Sequence, residues 1–293
     1  MLKPALPPKL IGAGFMLLWA LSISMAMTLA KKLSPEVPTL VVLFMRLFFG
    51  FLFFSPFMVR AGVKGFHTAR PLLQLARVCF TGTALICTYY AYRNLPLALA
   101  TSIGMTGPLF TTLFAMLLLR DHVTVGKWAC IFFGYLGVLV MVRPHELEVN
   151  MAVWIELLAN VCAALSSITV KVLSRTDSVL TIMLYTNTVT TFVAGILVYW
   201  VWVTPSLPDS LLLVAVGGFG LLSQYGATSA LRYANPSYLA PFEYTRMCFA
   251  IPVGYSLFHE EPTLWVLGGS AMIIAATYSL TRLELEDTAP AQK

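Results

Sequence analysis

The chain has 293 residues, 58% of them hydrophobic and only 11% charged, with a formal net charge of +6 and a mean hydropathy of +0.81. A soluble domain is typically about 45–50% apolar and about 25% charged, so this composition excludes an ordinary soluble protein and points to the bilayer. The basic residues are scattered at the ends of apolar segments, which excludes a nucleic-acid footprint and fits the pattern that orients a membrane protein.

A helix needs roughly 20 apolar residues to cross the hydrocarbon core. Ten runs meet that need, at 10–30, 38–59, 72–92, 97–119, 125–142, 152–173, 178–202, 210–231, 236–258 and 263–281. The first follows Lys3 and Lys9 with no small-residue cleavage site after it, so it reads as a retained helix and not as a signal peptide. The second carries Arg46 within FMRLFFG; an arginine facing lipid at that depth is expensive, which favours a cavity for it. The third holds Tyr89 and Tyr90 in its second half and Arg77 near its start, where the guanidinium reads as an anchor in the headgroups. The sixth and seventh hold Asn160, Tyr185 and Asn187, and the eighth holds Gln224. These amides and aromatic rings suit a flat ring or a cation, while each alone is also what interhelical packing uses. The glycines of VGGFG (216–220) lie in an apolar run with no strand before them, so they read as a close helix contact and not as a phosphate loop.

The ninth run is the most informative. It contains LAPFEYTRMCFAIPVGYSLF (239–258), with Glu243, Tyr244 and Arg246 inside a span otherwise greasy enough for the membrane. Residues three apart share a helix face. Glu243 and Arg246 therefore have two readings: they receive the ammonium and carboxylate of a substrate, or they pair with each other and lock the helix. Pro108, Pro241 and Pro252 interrupt the fourth and ninth runs, and interrupted helices in matching halves are a pointer to a transport site.

The halves do match. A shift of 140 residues lays KKLS (31–34) on KVLS (171–174), Leu40 on Leu180, Thr88 on Thr228, Pro96 on Pro236 and Ala100 on Ala240, with the ten runs superimposing five on five. Five is odd, so the second half is upside down relative to the first. The expected fold is an all-α integral membrane protein of ten transmembrane helices in an inverted 5+5 repeat, with repeats at 1–148 and 149–293. Such a repeat offers outward-open and inward-open states of similar energy around one central site, as a carrier requires.

Motifs for other classes are missing. Cys79, Cys87, Cys130, Cys162 and Cys248 lie in apolar runs with no CxxC, and His67, His122, His145 and His259 lie in connections without HExxH. No GxSxG or Walker sequence occurs either. The chain reads as no enzyme, with no cofactor, no metal and no ATP drive.

Two segments carry a family resemblance: NLPLALATSIGMTGPLFTTLFAMLLLRDHVTVGKWACIFFGYLGVLVMVRP (94–144) and YANPSYLAPFEYTRMCFAIPVGYSLFHEEPTLWVLGGSAMIIAATY (233–278). They resemble the EamA family of the drug/metabolite transporter superfamily, and APFEYT and EEPTLW resemble its S-adenosylmethionine and riboflavin uptake subgroup. One departure is RDHV (120–123), where that family usually has a GE pair. The resemblance implies a secondary transporter in the bacterial inner membrane. S-adenosylmethionine is the expected substrate, with riboflavin uptake or metabolite export as the alternative and a membrane-embedded enzyme or pore as the competing class. The partners implied are a small metabolite and the lipid bilayer, and a homodimer is compatible with the pattern.

Basic residues give the orientation. Twelve lie on the side of the N-terminus: Lys3, Lys9, Arg60, Lys64, Arg70, Arg120, Lys127, Lys171, Arg175, Arg232, Arg282 and Lys293. Four lie opposite: Lys31, Lys32, Arg93 and Arg143. Both termini are therefore predicted to be cytoplasmic. A fluorescent protein fused after Lys293 should fluoresce and alkaline phosphatase fused there should be inactive; an active phosphatase overturns the topology.

Overall fold

The computed structural model describes residues 7–34, 36–94, 103–121, 123–142, 151–246, 248–249 and 264–288. Among the described residues there is no strand. The helices are α1 (Pro8–Lys31), α2 (Thr39–Ala61), α3 (Pro71–Asn94), α4 (Gly107–Leu119), α5 (Val125–Val142), α6 (Met151–Leu173), α7 (Val179–Val198), α8 (Leu207–Tyr233), α9 (Pro236–Leu239) and α10 (Leu264–Thr288). Short 3-10 turns lie at Val63–Phe66, Tyr199–Val201 and Ala240–Tyr244. Six described helices are long and apolar enough to cross a membrane, and three shorter apolar ones accompany them.

Local chemistry sets the boundaries. Pro8, Pro108 and Pro236 each stand in the first turn of a helix, where the missing N–H has no helical partner to lose. Ser178 and Ser206 cap α7 and α8 by accepting from the backbone N–H of Thr181 (3.1 Å) and Asp209 (3.3 Å), the usual role of a serine at that position. Helix α2 stops at Gly62, whose φ of +56° is open to glycine and strained for most other residues. Exposed Phe53, Phe57, Phe132 and Ile274 coat the outside, and Tyr199, Trp200 and Trp202 stand exposed beyond α7, as aromatic residues do at a membrane interface.

Helix α1 packs along α8, α3 along α6 and α5 along α10, while α2 touches both α7 and α8. Glycine allows two of these approaches. A Cβ on Gly226 of α8 would lie 2.9 Å from the Phe15 carbonyl oxygen and 3.0 Å from the Trp19 nitrogen of α1. A Cβ on Gly137 of α5 would lie 2.8 Å from the Gly269 carbonyl oxygen of α10. Both contacts are with backbone, so neither position accepts a side chain without separating the helices. Lipid tails are as apolar as leucine, so close van der Waals contact of this kind drives helix association in the bilayer.

Polar ties join the ends. The Asp177 carboxylate, between α6 and α7, accepts from Thr68 Oγ1 and from Gln74 Nε2 (2.8 Å). Asp121, between α4 and α5, accepts from Asn235 Nδ2 (2.6 Å) and from Ser237 Oγ, and Lys171 Nζ donates to the Ala234 carbonyl (2.7 Å). At the opposite ends of α2 and α8, the Ser34 N–H donates to Asp209 Oδ1 (3.1 Å). The aspartate of RDHV, out of place by the family pattern, thus docks the α4–α5 turn onto the start of α9.

Burial alone would raise the pKa of Asp177, which is 6% exposed. Hydrogen bonds from Thr68, Gln74, Thr176 and the backbone N–H of Ala69 outweigh it and hold the carboxyl below its ordinary 3.8. A depressed folded pKa stabilises the fold above the unfolded value, and that contribution disappears as pH falls through the folded one. Asp177→Ala should therefore lower stability by about 1–3 kcal/mol at neutral pH. The gap in Tm from wild type should narrow as pH drops below about 4; a gap that persists in acid places the stabilisation elsewhere.

Candidate functional site

The ninth run does not form one continuous helix. It begins as α9, tightens into the 3-10 turn Ala240–Tyr244 and is helical again at Thr245 and Arg246. Pro241 lies in the tightened stretch and has no N–H to give to a helix. The fourth run breaks similarly. It is helical at 103–104, turns at Met105 and Thr106, and restarts at Gly107 with Pro108 in the first turn. Pro252 lies outside the described residues.

The two breaks border a cavity with two lobes. The first has a volume of about 260 Å³ and is lined by Glu156, Asn160, Glu243 and Arg246, with Thr88, Gly107, Thr111 and Trp19 around them. The second has a volume of about 330 Å³ and is lined by Arg46, Arg77, Gln224 and Arg246 among serines, threonines and apolar residues. Trp19, Met27, Ser167, Ala227, Leu231 and Arg246 line both, so Arg246 stands where the lobes meet.

Glu156 and Glu243 make the first lobe acidic. Glu156 projects from α6 and is 2% exposed; Thr88 of α3 hydrogen-bonds to it, and its Oε2 has no partner among the described residues. Asn160, one helical turn on, donates from Nδ2 to the Ile103 carbonyl (2.9 Å) and to Thr106 Oγ1 (3.3 Å). It thereby fixes the broken start of α4. A Cβ on Gly107 would lie 3.5 Å from Asn160 Oδ1 and 3.8 Å from Glu243 Oε2, so the glycine leaves that part of the lobe open. Arg246 acts electrostatically on both carboxylates. Its hydrogen bond among the described residues runs from Nη2 to the Met105 sulfur (3.4 Å), and a thioether is a weak acceptor for a guanidinium.

Of the residues singled out from the sequence, Arg46, Asn160, Gln224, Glu243 and Arg246 line the cavity. Tyr244 does not. It is 0% exposed and packs with Met105, Val138 and Ile273, its ring filling the space above Gly134 of α5. The 3-10 twist sends neighbours Glu243 and Tyr244 to opposite sides of the segment. Tyr185 is tied to the 3-10 turn that follows α2, its hydroxyl donating to the Phe66 carbonyl (2.7 Å) and its ring edge-on to Phe66. Asn187 is buried and donates to the Met183 carbonyl one turn back (3.0 Å), so its amide serves its own helix. Tyr90 is 47% exposed on the outer surface of α3. The Tyr89 side chain lies outside the described residues.

The anchor reading of Arg77 is corrected. It is 4% exposed, with Nη1 donating to the Ile182 carbonyl (2.8 Å) and to Thr186 Oγ1. A position near a segment end suggested headgroups, but α7 covers α3 there and turns the guanidinium inward. Glu156 was not legible from the sequence alone, because a charge early in a run resembles a boundary charge. Its i,i+4 spacing to Asn160 is the signal that could have found it.

The sequence profile of the EamA-like transporter family matches residues 10–143 and again 150–282. An S-adenosylmethionine uptake transporter of Rickettsia conorii is 26% identical over 94% of this chain and 94% of its own. A riboflavin transporter of Brucella anthropi is 26% identical over 84% of this chain and 89% of its own. A pseudopaline exporter of Pseudomonas aeruginosa is 28% identical over 87% and 90%. One crystal structure superimposes with a TM-score of 0.81 at 16% identity, covering 96% of this chain and 99% of that one, which shows a shared fold.

Placing Tyr244 in the packed interior has a consequence. Its hydroxyl is buried with no partner among the described residues, and such a group costs about 1–3 kcal/mol. Tyr244→Phe should melt no earlier than wild type and transport at an unchanged rate. A loss of transport at wild-type stability places the hydroxyl at the substrate.

Proposed function

The chain belongs to the EamA-like transporter family, and from that premise we propose that it is a secondary carrier of a small amino-acid-like zwitterion in a bacterial inner membrane, with S-adenosylmethionine as substrate. The observation that carries this reading is the acidic lobe: two carboxylates and one guanidinium, Glu156, Glu243 and Arg246, around one cavity. S-adenosylmethionine has the complementary set, an ammonium, a sulfonium and a carboxylate. Glu243 and Glu156 receive the two cationic groups, and Arg246 receives the carboxylate through parallel hydrogen bonds. Riboflavin has less to hold it, since Trp19 is the single aromatic side chain among the described residues lining either lobe.

Transport proceeds by alternating access of two inverted halves, 1–148 and 149–293, with both termini cytoplasmic. The packing supports this reading. Exchanging each helix for the one five places on turns α1·α8 into α6·α3 and α2·α8 into α7·α3, and leaves α2·α7 and α5·α10 unchanged; all of these pairs are in contact. The broken fourth and ninth runs also correspond under the exchange, and both border the cavity, as expected of discontinuous helices at a transport site. The ties at the two ends, Asp177 with Thr68 and Gln74, and Asp209 with Ser34, are bonds that opening at one face or the other breaks. Substrate energy goes into the difference between these states, because a ligand shifts an equilibrium only by its differential affinity.

Proteoliposomes containing the protein should take up labelled S-adenosylmethionine without enclosed ATP. Arg246→Ala and Glu243→Gln should each reduce uptake at least tenfold (about 1.4 kcal/mol or more) while melting close to wild type. If the two charges serve only each other, each single variant loses about 3–5 kcal/mol of stability and the doubly neutral variant regains it. Full-rate uptake by Arg246→Ala overturns the binding role, and absent uptake by wild type overturns the substrate.

A further inference from the structure

The second lobe has a charge balance that the zwitterion reading leaves unanswered. Arg46, Arg77 and Arg246 line it, and no aspartate or glutamate does so among the described residues. Arg246 has carboxylates within electrostatic reach in the first lobe. No carboxylate hydrogen-bonds to or pairs with Arg77 or Arg46 among the described residues. Arg77 is held by the Ile182 carbonyl and Thr186 Oγ1, both neutral, and its Nε is buried with no partner among the described residues. No hydrogen bond or ion pair ties the Arg46 guanidinium among the described residues.

Guanidinium groups stay protonated in proteins. Arg77, which is buried, cannot relieve its burial by losing charge, as a buried lysine or histidine does, and Arg46 is half-buried. A buried charge without a counter-charge is destabilising, and ionisable groups in membrane helices face the bundle interior or a wet cavity, pair with one another or with backbone carbonyls, and mark substrate or ion pathways. The described lining of this lobe contains no such counter-charge.

The surroundings keep a place for it. Gly220 of α8 is bare where Arg46 of α2 passes: a Cβ there would lie 2.7 Å from Arg46 Nε and 3.2 Å from its Cγ. Glycine lets this guanidinium lie across α8 beside Gln224, which lines the same lobe and carries two amide N–H donors. The VGGFG stretch is therefore more than a packing contact, because its last glycine sets the path of Arg46.

We propose that this basic lobe is an anion-binding subsite, separate from the acidic lobe, which holds a carboxylate or another small anion between Arg46 and Arg77. The inference rests on the cavity being the transport site and deepens that reading. The cavity takes up a second negative charge besides the carboxylate at Arg246, borne either by the transported molecule or by a free ion from solution.

The test uses the full chain in detergent, free of added salt, with Tm followed against sodium acetate, sodium chloride and, as a neutral control, sucrose. Wild type should show a saturable rise with at least one of the anions and none of that form with sucrose. Arg46→Gln should need at least tenfold more anion for the same rise. Gly220→Ala should do likewise while keeping its fold, since the added methyl meets only a flexible side chain. Tyr90→Phe, on the exposed surface of α3, should respond as wild type does. A second arm identifies the source. L-aspartate, with two carboxylates on one molecule, is compared with an equimolar mixture of L-alanine and acetate. An advantage for aspartate that Arg46→Gln erases assigns the anion to the transported molecule; equal responses assign it to a free ion. A wild type indifferent to both anions, or a response that Arg46→Gln and Gly220→Ala leave unchanged, overturns the subsite. S-adenosylmethionine uptake can fail while this anion response survives, so the two proposals fail separately.

Discussion

Five charged side chains, those of Arg46, Arg77, Glu156, Glu243 and Arg246, line a cavity inside a bundle whose exterior is hydrocarbon. An ionised group in the middle of a bilayer is expensive, about 2.5–3.5 kcal/mol on insertion scales. The rest of the fold follows from where those groups go. They lie inside, away from lipid, which requires helices that enclose a polar space. They are spread over α2, α3, α6 and the broken segment after α9, so the enclosure is built from both halves of the chain. Opposite charges share the space without being used up on each other. Arg246 spends a hydrogen bond on a methionine sulfur, and one oxygen of Glu156 has no partner among the described residues.

That arrangement depends on broken helices. A continuous α-helix satisfies its own backbone and presents side chains at fixed angles, whereas a 3-10 stretch changes those angles. The stretch from Ala240 to Tyr244 faces Glu243 into the cavity and Tyr244 into the core between α4, α5 and α10. Asn160 closes the arrangement from α6 by holding the Ile103 carbonyl and the Thr106 hydroxyl at the other break. One amide therefore positions the fourth segment and lines the acidic lobe.

The helix contacts have a different chemistry from the cavity. Between α1 and α8 and between α5 and α10, glycines bring backbone against backbone, while polar ties join helix ends at Asp121, Asp177 and Asp209 and mid-helix positions at Arg77 and Thr81. Interhelical hydrogen bonds within the bilayer average only about 0.6 kcal/mol, so close packing carries more of the association than they do. Asp177 and Asp209 are buried in these ties, and each lies beside a helix end.

The amino-acid sequence by itself determined the membrane class, the apolar runs, the family resemblance and five of the cavity residues. Hydropathy and motif are local properties, and a charge inside an apolar run is visible without knowing its neighbours. The sequence also showed where the two matching runs are interrupted, because proline acts on its own backbone. Only the tertiary structure decided which side of each helix faces which neighbour. It turned Arg77 inward beneath α7, sent Tyr244 into the packed interior, tied Tyr185 to the 3-10 turn that follows α2 and spent Asn187 on its own helix. It also brought in Glu156, which spacing to Asn160 alone hinted at. The reason is physical: a side chain's direction is set by helix rotation and crossing, and those depend on the glycines and contacts of another segment far away in the chain. Arg46 illustrates both parts, since its charge is legible at one position while its path depends on the bare backbone at Gly220.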